Sequence, residues 1–281
     1  MQYRVTKVFN NNLIFSKNEL GHDIVLKGAG IGFQKHKGDL VDGNRIEHIF
    51  VLKDDDVSNK LTQLLKQIPD EYLSVVDEIK RFAQEKLHKT LSDNIYITLT
   101  DHIYFAKQRL SEGLIFQNQL LWEIKRFYKS EYDVALEAIH LINRDLHIHL
   151  PDEEASFIAL HIINAEIGGK EIQSAVDITQ LIKQIVQIVQ YQLKIQFDED
   201  SLSYTRFILH LKFFAQRVLM KQKFDDDVEF LYDQVHAKMP DAFNCALKIY
   251  DFVDKKYKYE VSKSEIVYLT IHINRIYTSE H

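Results

Sequence analysis

The chain has 281 residues and a formal net charge of −6, and 46% of it is hydrophobic, so it can bury ordinary cores and is not a disordered polyanion. Its single cysteine, Cys245, excludes an intramolecular disulfide and suits a reducing compartment. No run approaches the roughly 18–20 apolar residues of a membrane span, and MQYRVTKVF lacks the apolar core of a signal peptide, so a soluble, cytoplasmic protein is expected.

Residues 1–53 differ from the rest. They hold eight Lys/Arg and five Asp/Glu, a formal +3, which leaves −9 for residues 54–281. A small basic head on an acidic body is the asymmetry expected of a chain that meets a polyanion at one end. Short runs rich in Val, Ile, Phe and Tyr are separated by turn residues at Asn10–Asn12, Glu19–Asp23, Gly28–Gly32, His36–Asp39 and Asp42–Asn44. That pattern predicts a small antiparallel sheet. About 50 residues is near the lower limit for a self-sufficient core, so the sheet needs a partner, and dimerisation is the simplest route. Within it, Lys7, Asn10, Asn12, Gly28, Gly30 and Phe33 read in two ways. They are turn residues and a core Phe, or they are an RNA surface: Lys for phosphate, Asn for base edges, Gly for close approach and Phe for stacking.

The charged stretch Lys53–Asp56 breaks the pattern, and from about residue 58 the apolar period becomes helical. Residues 177–193 show it best, with Ile178, Leu181, Ile182, Ile185, Val189 and Leu193 on one face and Asp177 with Gln180 reading as a capping box. Pro69, Pro151 and Pro240 are each followed by Asp, a helix-start signal. A soft break falls at Ile167–Lys170.

The helical body is a duplication. His102-Ile-Tyr-Phe-Ala-Lys-Gln-Arg109 matches His210-Leu-Lys-Phe-Phe-Ala-Gln-Arg217 at an offset of 108, and Ala135–Leu136, Glu154 and His161 match Ala246–Leu247, Glu265 and His272 at an offset of 111. Two copies are too few for a solenoid, so two similar helical domains are expected. The fold class is therefore multi-domain α+β: a small all-β antiparallel head at residues 1–55, a linker or first helix at 56–69, and homologous all-α bundles at 70–171 and 172–281.

Each copy carries two matched histidines. A lone helical His is ordinarily a hydrogen-bonded structural residue. No H-x-x-x-H, Cys cluster or helical Glu-x-x-His accompanies His102 and His161, so no metal is expected. For acid–base catalysis the carboxylates Asp101, Glu154 and Glu265 are unevenly repeated, since Asp101 aligns with Leu209, and there is no phosphate loop, nucleophile elbow or dinucleotide fingerprint. No enzyme and no cofactor are expected. A third reading is phosphoryl acceptance: a neutral imidazole is a nucleophile near pH 7, and the modification adds roughly 1.5–2 negative charges.

Over essentially its full length the chain resembles the BglG/SacY family of transcriptional antiterminators. The residues that carry the resemblance are the K-V-x-N-N-N and G-x-G-I-G-F-Q-K-x-x-G-D motifs of the head and the two helical copies with paired histidines. The resemblance implies a co-antiterminator head that binds a leader-mRNA hairpin as a homodimer. It also implies two regulation domains of the sugar phosphotransferase system (PTS), phosphorylated by HPr and a sugar-specific PTS permease. It assigns RNA contact to Lys7, Asn10, Asn12, Gly28 and Phe33, and phosphorylation to His102, His161, His210 and His272. Modification of the first repeat commonly inactivates in the family, and modification of the second commonly activates. One departure is Ala29, where some members have Arg; Lys27 is the residue that could replace that contact. The reading from another class is a PTS-regulated DNA-binding activator, which requires a helical head.

Overall fold

The computed structural model describes residues 2–52, 55–114, 116–168, 173–224 and 228–279. The chain forms two compact units, Met1–Leu121 with Tyr128–Ile172, and Trp122–Phe127 with Gln173–His281.

The head is built of strands. β1 (Gln2–Arg4) pairs antiparallel with β5 (Leu40–Asp42), and β2 (Lys7–Val8), β3 (Leu13–Lys17), β4 (Asp23–Lys27) and β6 (His48–Leu52) form a four-stranded antiparallel sheet in the order β2-β3-β4-β6. The predicted turns fall between strands, except that Asp23 already belongs to β4, paired with Lys17, and Asp42 still belongs to β5, paired with Gln2. No α-helix lies among residues 2–52, whereas the DNA-binding alternative requires a helical head.

Strand alternation gives this sheet two buried faces. Ile14, Ile24 and Leu26 join Val5, Ile31 and Val41 in the core beneath the small sheet. On the opposite face the register lines up Leu13 with Lys27 and His48, and Phe15 with Val25 and Phe50. Leu13, Phe15, Val25 and Phe50 are buried as well. Their cover comes from the helices that follow. Phe50 meets Tyr96 edge-on with ring centroids 5.9 Å apart, and Lys27 donates to Ser74 Oγ at 2.6 Å and pairs with Asp70 at 3.3 Å. The partner that the small sheet needs is thus supplied within the chain in this conformation.

The first helical stretch comprises α1 (Asp55–Leu64), α2 (Asp70–Leu87), α3 (Ile95–Ser111), α4 (Leu121–Phe127), α5 (Lys129–Leu146) and α6 (Ala155–Glu166). The second comprises α7 (Gln173–Leu193), α8 (Leu202–Met220), α9 (Tyr232–Lys238), α10 (Pro240–Tyr257) and α11 (Lys263–Ser279). The duplication is visible as equivalent bundles. α2, α3, α5 and α6 pack together in one unit, and α7, α8, α10 and α11 pack together in the other. The three prolines mark helix starts: Pro69 immediately precedes α2, Pro151 leads through a 3-10 turn into α6, and Pro240 lies in the first turn of α10.

Two local expectations are corrected. α7 begins at Gln173, so Asp177 lies inside the helix and accepts from Gln173 Nε2 at 2.7 Å instead of capping. Buried Ala175 extends the apolar stripe one turn further back, and packing outweighs the local capping signal there. In the predicted break after the head, Lys53 and Asp54 lie outside the described residues, and Asp55–Asp56 are already helical. Of the second break, Gly169 and Lys170 lie outside the described residues.

Candidate RNA interface and paired histidine sites

Two loops of the head are laced together. Asn10 Oδ1 accepts from the backbone of Asn12 and of Leu13, both at 2.8 Å, closing the first loop on itself. Asn12 then reaches across: its carbonyl accepts from Gly28 N at 3.0 Å and its Oδ1 accepts from Gly30 N at 3.0 Å. Gly32 N donates to Asn11 O at 2.8 Å. Glycine is required at two of these positions by crowding. A Cβ on Gly28 would lie 2.0 Å from the carbonyl oxygen of Arg45, and one on Gly32 would lie 2.2 Å from that of Asn10.

The loops therefore form one surface. Asn10, Asn12 and Lys7 are exposed, and Phe33 is 58% exposed at the end of the second loop, so it is not a core residue. Four of the five RNA candidates, Asn10, Asn12, Gly28 and Phe33, come together here, with Lys7 nearby on the edge strand β2. Gly28 is itself buried, and its place in the site is to let the loops close. The substitution of Lys27 for the missing cation at Ala29 does not fit this conformation, because the Lys27 ammonium is engaged by Ser74 and Asp70. A cation that reaches this loop is Arg45, from the 3-10 turn Gly43–Arg45, whose guanidinium donates to Gly30 O at 3.1 Å. Gly32 and Arg45 were missed from sequence. Gly32 could have been found within the G-x-G-I-G-F motif, whereas Arg45 is distant from it in sequence.

The histidines converge as pairs. In the first repeat α3 carries His102 and α6 carries His161, with ring centroids 4.9 Å apart. In the second, α8 carries His210 and α11 carries His272, with centroids 4.5 Å apart and the rings stacked. Each pair has an Arg and a Glu beside it, but these are wired differently. Glu154 accepts from Arg109 at 3.3 Å and bonds His102 Nε2 at 3.0 Å. Glu265 is engaged by Arg217 in a two-pronged ion pair, at 2.7 and 3.0 Å.

The electrostatics follow. Burial works against the Glu154 charge, but the His102 hydrogen bond and the His102 and Arg109 charges hold its carboxyl below the usual range. Glu265 is fully buried, and burial outweighs Arg217 and pushes its carboxyl up. His161 is only 5% exposed; burial and then the His102 charge push it well below an ordinary imidazole. Burial, with His272 and Arg217, pushes His210 down to about 3, and burial, with Arg275 and Arg206, lowers His272. His161 and His210 are therefore neutral at pH 7, and each has a buried Nδ1 without a hydrogen-bond partner. Cys245 is buried, and its thiol is pushed up to about 12, so it is no nucleophile. Among the described residues no group of three or more His, Cys, Asp or Glu could hold a metal ion. Nor is any helix among them long and apolar enough to cross a membrane.

A strand-built head with a laced loop surface, followed by two helical repeats each with a histidine pair, defines a nucleic-acid-binding regulator with tandem sensor domains. The CAT RNA binding domain family matches residues 3–59, and the PRD domain family matches residues 77–165 and 183–276. The chain belongs to the BglG/SacY family of transcriptional antiterminators, with a CAT head and two PRD domains. It is 44% identical to the transcription antiterminator LicT of Bacillus subtilis (strain 168), over 97% of this chain and 98% of LicT. It is 39% identical to the beta-glucoside operon antiterminator of Dickeya chrysanthemi, over 97% and 96% of the two chains. The crystal structure of GlcT CAT-PRDI superposes with a TM-score of 0.51 at 33% identity, covering 59% of this chain and 99% of that one.

Proposed function

We propose that the protein is a cytoplasmic, non-enzymatic transcriptional antiterminator controlled by the sugar PTS. It binds a leader-mRNA hairpin as a dimer and prevents the terminator from forming. The observation that carries the RNA reading is the surface made by residues 10–12 and 28–33, where exposed amides stand beside exposed Phe33 on a basic head. This arrangement suits an unpaired base stacked on a ring and held by hydrogen bonds at its edge. Residues 1–55 are the RNA-binding domain, with residues 70–171 and 172–281 as the two regulation domains. The chain needs no cofactor.

His102, His161, His210 and His272 are the phosphoryl acceptors, with HPr and a sugar-specific permease as donors. Neutral His161 and His210, each with an unpartnered ring nitrogen, suit that role, and burial of His161 means that the first site opens to be modified. Dimerisation places these faces against a second chain. One helical turn beyond the first histidine of each pair stands an exposed phenylalanine, Phe105 at 47% and Phe213 at 54%.

The difference in wiring supports opposite effects. In the first repeat a phosphoryl group on His102 meets the Glu154 carboxylate and is repelled, which loosens the site. In the second, Arg217 stands beside the pair with a guanidinium that can turn toward phosphate. Asp at His102 or His161 lowers read-through, and Asp at His210 or His272 raises it, in a terminator-reporter assay on each single variant. Wild-type read-through from all four, with intact folding, would make the histidines structural.

A further inference from the structure

The second unit contains a cleft of about 530 Å³ between the end of α8 and the start of α11. Lys221, Lys223, Lys258 and Lys263 line it, and Glu260 is the one carboxylate among the described lining residues; Asp225, Asp226 and Asp227, next in sequence after Phe224, lie outside the described residues. The chain turns there on two left-handed residues, Lys221 at φ 54° and Lys258 at φ 51°. Lys221 donates its ammonium to the carbonyl oxygens of Tyr257 and Lys258, which ties the two walls together. Among the described residues Lys223, Lys258 and Lys263 have no salt bridge.

The first repeat serves as an internal control. At the same offsets it keeps the framework: Arg109 stands over Phe116 at 5.2 Å, as Arg217 stands over Phe224 at 4.4 Å. It does not keep the charge. Gly113, His147 and Asp152 occupy the positions of Lys221, Lys258 and Lys263. The fold is made without the lysines, so their gathering in one repeat is not a requirement of packing. Clustered ammonium groups repel one another, and a bound anion relieves that repulsion.

We propose that this cleft binds a small phosphomonoester, a phosphorylated sugar or a compound of like size and charge. The volume suits a small molecule rather than a protein surface. The ammonium groups take the phosphate, the Ser262 hydroxyl, whose oxygen accepts from Glu265 N, keeps a proton to donate, and Phe224 and Val261 offer an apolar wall to the carbon skeleton. Phe224 also faces the histidine site: it meets Tyr268 edge-on at 5.6 Å, and Tyr268 lies 6.1 Å from His210. An occupied cleft therefore braces the ring that backs Arg217, and this coupling rests on the phosphorylation reading, whereas binding itself does not.

The test is calorimetric titration of the unphosphorylated full-length protein with glucose 6-phosphate, glucose, inorganic phosphate and poly-glutamate. One glucose 6-phosphate per chain is expected, with no binding of glucose. Affinity should fall at least tenfold in K223A/K258A and stay unchanged in K66A, whose lysine lies outside the cleft. A chain variant that melts early is replaced by K258Q alone. Absence of glucose 6-phosphate binding, equal affinity in the cleft variants, saturation by inorganic phosphate as tightly as by the sugar phosphate, or binding of poly-glutamate alone would each overturn the proposal. RNA binding by the same samples is scored separately, so failure here leaves the antitermination reading standing.

Discussion

Phe33→Ala separates recognition from stability. The ring is 58% exposed and lies outside the head's core cluster, so less than half of its surface is withdrawn from water. Full burial of a Phe is worth about 1.5–3 kcal/mol, so truncation here costs the fold about 1 kcal/mol or less. If the ring stacks on an unpaired base, its loss costs about 1–3 kcal/mol of binding, a Kd raised roughly 5- to 150-fold. Fluorescence anisotropy with a labelled antiterminator hairpin measures the binding, and thermal melts followed by circular dichroism measure the fold. An unchanged Kd with an unchanged melt would refute stacking by Phe33. A collapsed melting temperature would show that the ring supports the core, contrary to its exposure.

Three further outcomes test other parts of the molecule. Hairpin affinity should fall as salt rises from low to physiological, because a +3 head neutralises phosphates and releases counterions; a flat dependence would remove Lys7 and its neighbours from the interface. Gly32→Ala should lower the melting temperature of the head and its RNA affinity together, since the added carbon would meet Asn10 O at 2.2 Å; normal behaviour of that variant would show the loops to be more adaptable than their lacing implies. Stability should fall with acid. His210 stays neutral in the folded chain down to about pH 3, while the unfolded chain protonates it below about 6.5, so stability present above pH 6.5 is lost towards pH 3 at about 1.4 kcal/mol per unit. Melts between pH 7.5 and 5 should show a smaller slope for His210→Gln than for wild type. That comparison isolates the imidazole from Glu265, whose carboxyl burial pushes up.

Much of the architecture is local and was legible in the sequence. Alternating β-branched and aromatic residues between Asn and Gly turns specify strands, and Pro-Asp pairs mark helix starts because proline needs no donor there. The register of the duplication placed His102 with His210 and His161 with His272 without any coordinates. Tertiary structure decided what depends on groups distant in the chain. Asn12 reads as a turn residue until Gly28 and Gly30 are brought within hydrogen-bonding distance of it. Lys27 reads as a free cation until Asp70 and Ser74 claim it, and Phe33 could fill a core or face a ligand until its surroundings are known. Asp177 begins a helix by its local pattern, but the buried face carries α7 back past it. The contrast between Glu154, shared by His102 and Arg109, and Glu265, held by Arg217 in two hydrogen bonds, joins residues 45 to 52 positions apart. Propensity acts over a few neighbouring residues. Charge pairing and burial act across whatever the packed helices bring together, and the histidine sites are made of the latter.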